Sequence, residues 1–238
     1  MKILSIDTSS KNCSISIVEA NNSTFNIISV KNNADEKTHS QKLMPLIDEM
    51  FKEVNLSLDN IDLLACCVGP GSFTGIRIGV ATVKAFADVK GIPVVGVTSL
   101  ESLAYNIEEN GYIIPIIDAK NNNLYSAIFS NKNYIYLTEI KDFADNIDNA
   151  LNIYNNFLAS SQENIYFVGD GSIAYKDIII NNFQNKNIHF STQNLQSSIS
   201  LARCAYSKYL NGFYGDSNSI SPIYLRKSQA ERNLDGEK

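Results

Sequence analysis

Eleven residues about a third of the way along the chain constrain its fold most. They run from Gly69 to Gly79, read Gly-Pro-Gly-Ser-Phe-Thr-Gly-Ile-Arg-Ile-Gly, and hold four of the 12 glycines in 238 residues. Residues 63–68 before them are a short apolar run, typical of a strand buried on both faces. Residues 75–90 have a helical pattern that Gly91 ends. The sequence therefore predicts a strand, a glycine turn and a helix.

This order of elements is also typical of phosphate-binding loops, because the free N–H groups at a helix start attract anions. A Walker loop requires Gly-Lys-Ser/Thr, but Ile76 follows Gly75. A dinucleotide fingerprint requires glycine at Thr74 and an acidic residue about 20 positions later, where residues 94–97 have none. We favour a tight turn with close backbone packing over either loop.

The helix predicted after the turn is apolar around most of its circumference. Arg77, Lys84 and Asp88 form one narrow polar stripe. A surface helix usually has one apolar stripe little wider than about 100°, so we expect this helix to pack on the sheet and also on a second helix or another chain. Gly75 and Gly79 leave a smooth flank for close approach.

A second helix with a wide apolar face is predicted over residues 38–54. The positions at helical spacing are Leu43, Ile47, Met50 and Val54. Leu46 and Phe51 widen this face.

Composition limits the function classes. The net charge is −5, and because nucleic-acid binding depends largely on basic side chains that neutralise phosphates, the chain is a poor candidate for holding nucleic acid alone. The four cysteines, Cys13, Cys66, Cys67 and Cys204, show no metal-binding spacing, so we expect buried free thiols in a reducing cytoplasm. No signal peptide or membrane-spanning run is apparent.

The order of predicted elements repeats. Residues 114–118 (Ile-Pro-Ile-Ile-Asp) resemble residues 3–7 (Ile-Leu-Ser-Ile-Asp), and in both halves two further strands, a helix and a strand follow. The fourth strand runs into Gly69 in the first half and into Gly169 in the second. This pattern predicts an internal duplication, with shorter helices in the second half.

Three further motifs accompany the glycine stretch: Ile3-Leu-Ser-Ile-Asp-Thr-Ser-Ser10, Thr38-His-Ser-Gln-Lys-Leu-Met-Pro45 and Ser221-Pro-Ile-Tyr-Leu-Arg226. Together the four motifs resemble the TsaB (YeaZ) family, from the first strand to near the C-terminus. The resemblance implies an α/β fold of two duplicated lobes with mixed sheets, of the actin-like (sugar kinase/Hsp70/actin) class, the second lobe being reduced.

The expected domain division follows. Residues 1–103 form the first lobe, with the glycine stretch and both wide-faced helices. Residues 104–226 form the reduced lobe, whose last helix packs within it or back on the first lobe. Residues 227–238 are expected to be a flexible tail.

The resemblance also implies a function. Members of the family are subunits of the bacterial machinery that makes threonylcarbamoyladenosine in tRNA, next to the anticodon. The implied role is a non-catalytic, cytoplasmic scaffold subunit that binds and activates a TsaD-type threonylcarbamoyltransferase. A TsaE-type ATPase would belong to the larger complex, tRNA would be contacted only through the complex, and the chain would form a homodimer when alone.

An actin-like kinase holds phosphate and Mg²⁺ with an acid at the end of its first strand. The corresponding residue here is Asp7, which could instead be a turn aspartate. The following residues are Thr8 and Ser9 rather than glycines, and the second half has no glycine-rich adenosine loop. We therefore expect only weak nucleotide or phosphate binding, at Asp7, Thr8, Ser9, Gly69 and Gly71, and interpret Gly169-Asp170-Gly171 as a turn. No cofactor is required by the chain, and ATP would act in the complex.

Catalytic groups are sparse. TsaD-type subunits carry two metal-binding histidines four residues apart on the second predicted helix, whereas here Leu43 is four residues after His39. We expect His39 to form a hydrogen bond at the helix start, and no metal site of that kind. A peptidase would need a nucleophile and a base, which the motifs do not place together. The alternative function is a stand-alone actin-like ATPase or small-molecule kinase.

The partner surface is predicted on the two wide-faced helices. Its residues are Leu43, Leu46, Ile47, Met50, Phe51, Gly75, Ile78, Gly79, Thr82 and Ala85.

Overall fold

A computed structural model describes residues 1–33 and 39–227. Thr38 and the predicted tail beyond Lys227 lie outside these ranges. The strands are β1 (Lys2–Asp7), β2 (Cys13–Ala20), β3 (Phe25–Asn33), β4 (Leu63–Cys67), β5 (Val94–Val97), β6 (Gly111–Asp118), β7 (Asn123–Lys132), β8 (Ile135–Asn146), β9 (Ile165–Val168) and β10 (Ile188–Phe190). The helices are α1 (His39–Glu53), α2 (Phe73–Lys90), α3 (Ser99–Ala104), α4 (Ile147–Leu158), α5 (Asp170–Ala174), α6 (Lys176–Asn182) and α7 (Ser198–Leu210).

The chain divides into two compact units. The first consists of Met1–Tyr105 and Gln196–Ile223, and the second of Asn106–Leu195 with the described residues from Tyr224 onwards. Each unit has one mixed five-stranded sheet, in the order β3-β2-β1-β4-β5 in the first and β8-β7-β6-β9-β10 in the second. In both, the first three strands pair antiparallel, the fourth strand pairs parallel to the first, and the fifth pairs parallel to the fourth. The predicted duplicated α/β fold is confirmed.

The second unit is reduced, as predicted. The position of the 18-residue helix α2 is taken by two short helices, α5 with five residues and α6 with seven. The core of this unit lies between the sheet and helices α4 to α6, around Tyr154 and Phe167. The Tyr154 hydroxyl donates a hydrogen bond to Ser126, which donates to the carbonyl oxygen of Pro115, each at 2.7 Å. These two hydrogen bonds satisfy the buried polar groups next to Pro115, which lies within a strand.

The sheet of the first unit is covered on both faces. Helices α1 and α2 pack on one face and α7 on the other, which explains why β4 is apolar throughout. Helix α7 is attached through serines. Ser5 donates to the Ser198 carbonyl oxygen at 2.7 Å, and Ser14 bonds the Ser198 hydroxyl at 2.9 Å. All four cysteines are free and buried, as the sequence predicted.

Helix α2 has clear ends. The side chain of Ser72 accepts a hydrogen bond from the Gly75 N–H at its start, and Gly91, with a φ of 65°, ends it in the left-handed conformation. None of the helices within the described residues is both long and apolar enough to cross a bilayer.

Candidate functional site

The predicted phosphate-contacting residues lie together at the carboxyl ends of β1 and β4. These two strands are parallel neighbours, so Asp7, Thr8 and Ser9 meet the turn that begins at Gly69. The Ser72 N–H donates to the Ser9 carbonyl oxygen at 2.7 Å, and a Cβ on Gly71 would lie 2.2 Å from that oxygen. The space that a ligand phosphate would need above the glycine turn is therefore partly occupied by the chain's own backbone.

Gly69 also packs against Ile223, which belongs to the C-terminal motif Ser221–Arg226. The Ile223 N–H donates to the Val68 carbonyl oxygen at 2.7 Å, and a Cβ on Gly69 would lie 2.7 Å from the Ile223 carbonyl oxygen. The φ of Gly69 is 105°, which other residues rarely adopt. Both the conformation and the close approach therefore require glycine at this position.

The Asp7 carboxyl group is completely buried. Its Oδ1 atom accepts hydrogen bonds from the Ser9 N–H at 2.9 Å and the Ser9 hydroxyl at 2.7 Å, as in a turn aspartate, whereas Oδ2 has no hydrogen-bond partner within the part of the chain that the structure describes. Burial raises the pKa of Asp7 above its usual 3.8, against the hydrogen bonds from Ser9, which lower it.

Asp7→Asn is expected to gain stability relative to the unsubstituted chain as the pH rises. A raised folded-state pKa means that the carboxyl group's full stabilising contribution is present below about pH 3.8 and is lost as the pH rises through the folded-state pKa. Asparagine keeps the acceptor for Ser9 and does not ionise. Urea unfolding of both proteins at several pH values measures the effect. A difference between them that does not change with pH would contradict the raised pKa.

Gly75 and Gly79 provide close approach within the chain. The Thr8 hydroxyl donates to the Gly75 carbonyl oxygen at 2.7 Å. A Cβ on Gly75 would lie 2.0 Å from the Thr8 carbonyl oxygen, and one on Gly79 would lie 2.4 Å from Thr8 Oγ1. The smooth flank that the sequence suggested is thus packed against the β1–β2 turn.

His39 forms a hydrogen bond at the start of α1. Its Nε2 atom lies 2.7 Å from the Ser10 carbonyl oxygen, and because a carbonyl oxygen only accepts, Nε2 carries the hydrogen. The other histidine, His189, stacks on Tyr166 in the second unit with ring centroids 4.9 Å apart. Among the described residues, no three His, Cys, Asp or Glu side chains are arranged to hold a metal ion.

The turn at Gly169 in the second unit is filled internally. The Gly169 N–H donates to Asn194 Oδ1 at 2.9 Å, and a Cβ on Gly171 would lie 2.5 Å from Ile116. Burial raises the pKa of the neighbouring Asp170. These contacts are those of a packed turn.

The residues predicted for the partner surface fall into two groups. Five are buried within the first unit: Leu43, Ile47, Met50, Gly75 and Gly79. Five others reach the surface, Leu46, Phe51, Ile78 and Thr82 half-buried and Ala85 exposed.

The two flanks of α1 differ. Lys31 on β3 forms ion pairs with Glu49 at 2.9 Å and Glu53 at 2.5 Å. Leu46 precedes these two glutamates by three and seven residues, so it lies on the same flank, over β3. Phe51 and Met44, seven residues apart, lie on the opposite flank, toward α2, and Met44 is 49% exposed.

The outward side of α2 carries a stripe without ionisable residues. Six positions fall within about 100° of the helix circumference, opposite the buried Ile76, Val80, Val83 and Ala87. They are Thr74, Ile78, Ala81, Thr82, Ala85 and Val89, all exposed or half-buried. The Thr82 hydroxyl donates to the Ile78 carbonyl oxygen at 2.9 Å, so this side chain offers mainly its methyl group.

We define the α1/α2 face as this stripe together with Met44 and Phe51. Met44, Thr74, Ala81 and Val89 belong to this face and were not among the residues predicted from the sequence. The sequence shows the helical spacing of the residues in this stripe, but it does not show which side of the helix faces the sheet.

Three comparisons place the chain among known proteins. The model of the family described as "TsaD: tRNA N6-adenosine threonylcarbamoyltransferase" matches residues 29–234. The tRNA threonylcarbamoyladenosine biosynthesis protein TsaB of Haemophilus influenzae is 28% identical, over 99% of this chain and 98% of that protein. TsaB of Bacillus subtilis is also 28% identical, over 97% and 96%.

Solved structures agree in fold. YeaZ from Pseudomonas aeruginosa superposes with a TM-score of 0.74 at 19% identity, covering 94% of this chain and 99% of that one. A second Pseudomonas aeruginosa structure, of a protein described as similar to peptidase YEAZ, has a TM-score of 0.76 at 21% identity with the same coverage. With the TsaD-family match over most of the chain and TsaB proteins aligned end to end, this chain belongs to the TsaB (YeaZ) family, within the wider group that the TsaD family model describes.

Proposed function

We propose that this chain acts in tRNA threonylcarbamoyladenosine biosynthesis as an accessory subunit that binds a TsaD-type threonylcarbamoyltransferase and supports its activity. The observation that carries the proposal is the α1/α2 face. A helix packed on its own sheet with one side, and free of ionisable residues over the opposite 100° or so, presents the kind of surface that another protein covers.

The match to the TsaD family model supports the choice of partner. A subunit with a related fold would present corresponding helices, so two pairs of helices could pack across the interface as a four-helix arrangement. The same face would form a homodimer when the partner is absent. A TsaE-type ATPase is proposed as a further member of the assembly.

The chain's own chemistry fits an accessory role. Asp7 bonds Ser9, the backbone of Ser9 occupies part of the glycine turn, and His39 bonds a carbonyl oxygen. The one contact among them that pairs a hydroxyl with a carboxylate, Ser9 with Asp7, is buried, with Asp7 completely covered and Ser9 2% exposed, so it does not face a substrate. Because this chain has a net charge of −5, tRNA would be held by the complex rather than by this chain.

Reconstitution tests the proposal. The purified chain should not modify tRNA alone, whereas adding it to a TsaD-type subunit with threonylcarbamoyl-adenylate and tRNA should raise the rate of threonylcarbamoyladenosine formation. Because the chain's own backbone occupies part of the space above the glycine turn that begins at Gly69, calorimetry should give a dissociation constant for ATP above about 0.1 mM for the chain alone.

Two outcomes would contradict the proposal. Modification by the chain alone would make it a catalyst. Micromolar ATP binding that Asp7→Ala abolishes would instead favour the actin-like kinase.

A further inference from the structure

The turn between β1 and β2 contacts the starts of both helices that form the α1/α2 face. Three hydrogen bonds of 2.7 Å join them: Thr8 Oγ1 donates to the Gly75 carbonyl oxygen, the Ser72 N–H to that of Ser9, and His39 Nε2 to that of Ser10. Thr8 is completely buried and Ser9 is 2% exposed. Water therefore does not compete for the contacts of Thr8 and Ser9.

The β1–β2 turn packs closely against three glycines of the Gly69–Gly79 stretch. Cβ atoms at Gly71, Gly75 and Gly79 would lie 2.2, 2.0 and 2.4 Å from atoms of the turn. The His39 ring would lie 3.0 Å from the same Cβ on Gly75. Helix α1, helix α2 and the turn therefore meet at one place, and a displacement of the turn would displace both helix starts.

The far ends of the two helices are held by other contacts. The ion pairs of Lys31 hold the second half of α1, and Lys90 at the end of α2 pairs with Asp59 at 2.5 Å. Met44 lies within two helical turns of His39, and Ile78 within two turns of Gly75, where the β1–β2 turn contacts α1 and α2. The distance between Met44 and Ile78 therefore depends on the β1–β2 turn more than on the C-terminal ends of the two helices.

We infer that the β1–β2 turn sets the spacing of α1 and α2 and thereby the shape of the face presented to the partner, with Thr8 and His39 as positioning residues. This inference rests on the proposed function. In an actin-like kinase this turn would hold phosphate, whereas here it would position two helices. The chain's own backbone and side chains occupy the turn, and through it they fix a protein-binding surface.

The test uses the full chain with the TsaD-type subunit. Thr8→Val keeps the side-chain shape and removes the donor, and His39→Ala removes the other side-chain contact. Each is expected to weaken partner binding about threefold to tenfold, the effect of one lost hydrogen bond. Amide hydrogen exchange in residues 39–44 and 73–78 should become faster.

Two further variants complete the test. His39→Gln, whose amide group can donate to the Ser10 carbonyl oxygen, should restore binding. Ser23→Ala, at the exposed β2–β3 turn, is the control and should bind normally.

The outcomes separate the two proposals. If Thr8→Val and His39→Ala bind the partner as the unsubstituted chain does, while Ile78→Glu abolishes binding, the inference is overturned and the proposed function stands. If Ile78→Glu also binds normally, the proposed face is wrong. Should Thr8→Val fail to fold, the comparison of His39→Ala with His39→Gln decides: rescue by glutamine supports positioning, and equal binding of the two overturns it.

Discussion

Ile78→Glu is expected to abolish binding of the TsaD-type partner, and with it the stimulation of tRNA modification, while the chain stays folded. In the free chain the side chain is half-buried beside the core, so the carboxylate can turn to water at a cost of about 1 kcal/mol. In the complex it would lie unpaired in a dry interface, costing at least about 3 kcal/mol, or a hundredfold in affinity. Met44→Glu, at a more exposed position, should act in the same way, as should Phe51→Glu, and a homodimer formed by the same face should weaken.

A matched control lies on β3. Ile27 is 49% exposed, as Met44 is, and pairs with Val18, whose side chain belongs to the core under α7. It therefore lies on the opposite side of the sheet from α1 and α2, and Ile27→Glu should bind the partner normally. Partner titration and a melting curve are measured for every variant. Normal binding by both Ile78→Glu and Met44→Glu would place the interface elsewhere, and unfolding would assign the residue to the core.

Gly75→Ala is expected to destabilise the chain by about 3 kcal/mol, the upper part of the usual range for overpacking. In a solvated helix the same change normally stabilises by roughly 0.5–1 kcal/mol, because alanine loses less conformational entropy than glycine. Here the added Cβ would lie 2.0 Å from the Thr8 carbonyl oxygen, so the turn or the helix must move. Urea unfolding of the purified chain measures the loss.

Gly91→Ala separates this clash from a general cost of replacing glycine. Apart from its two chain neighbours, no described residue has an atom within 4 Å of a Cβ at Gly91, where φ is 65°. Its expected cost is about 1 kcal/mol, from the left-handed conformation alone. If Gly75→Ala were as stable as the unsubstituted chain, the close packing of α2 on the β1–β2 turn would be wrong.

The sequence by itself determined the local elements and the family. The glycine stretch predicted β4, the turn and α2, and Gly91 marked the end of that helix where the structure has it. The repeat of Ile3–Asp7 in residues 114–118 predicted an internal duplication, and the structure has two sheets with corresponding strand orders. These features are local or repeat along the chain, so propensity, periodicity and turn chemistry reveal them.

Tertiary structure alone decided which sides of the helices are free. Helical periodicity gives the angle between side chains and leaves open where the sheet lies. Helix α1 packs on the sheet through Leu43, Ile47 and Met50, and its Glu49 and Glu53 pair with Lys31 on β3, so Leu46 lies over β3 and Met44 on the other flank. In the same way, the packing of Thr8 on Gly75 and Gly79 and the burial of Asp7 arise where parallel strands distant in sequence end side by side. Long-range strand pairing creates these contacts, and no local pattern encodes it.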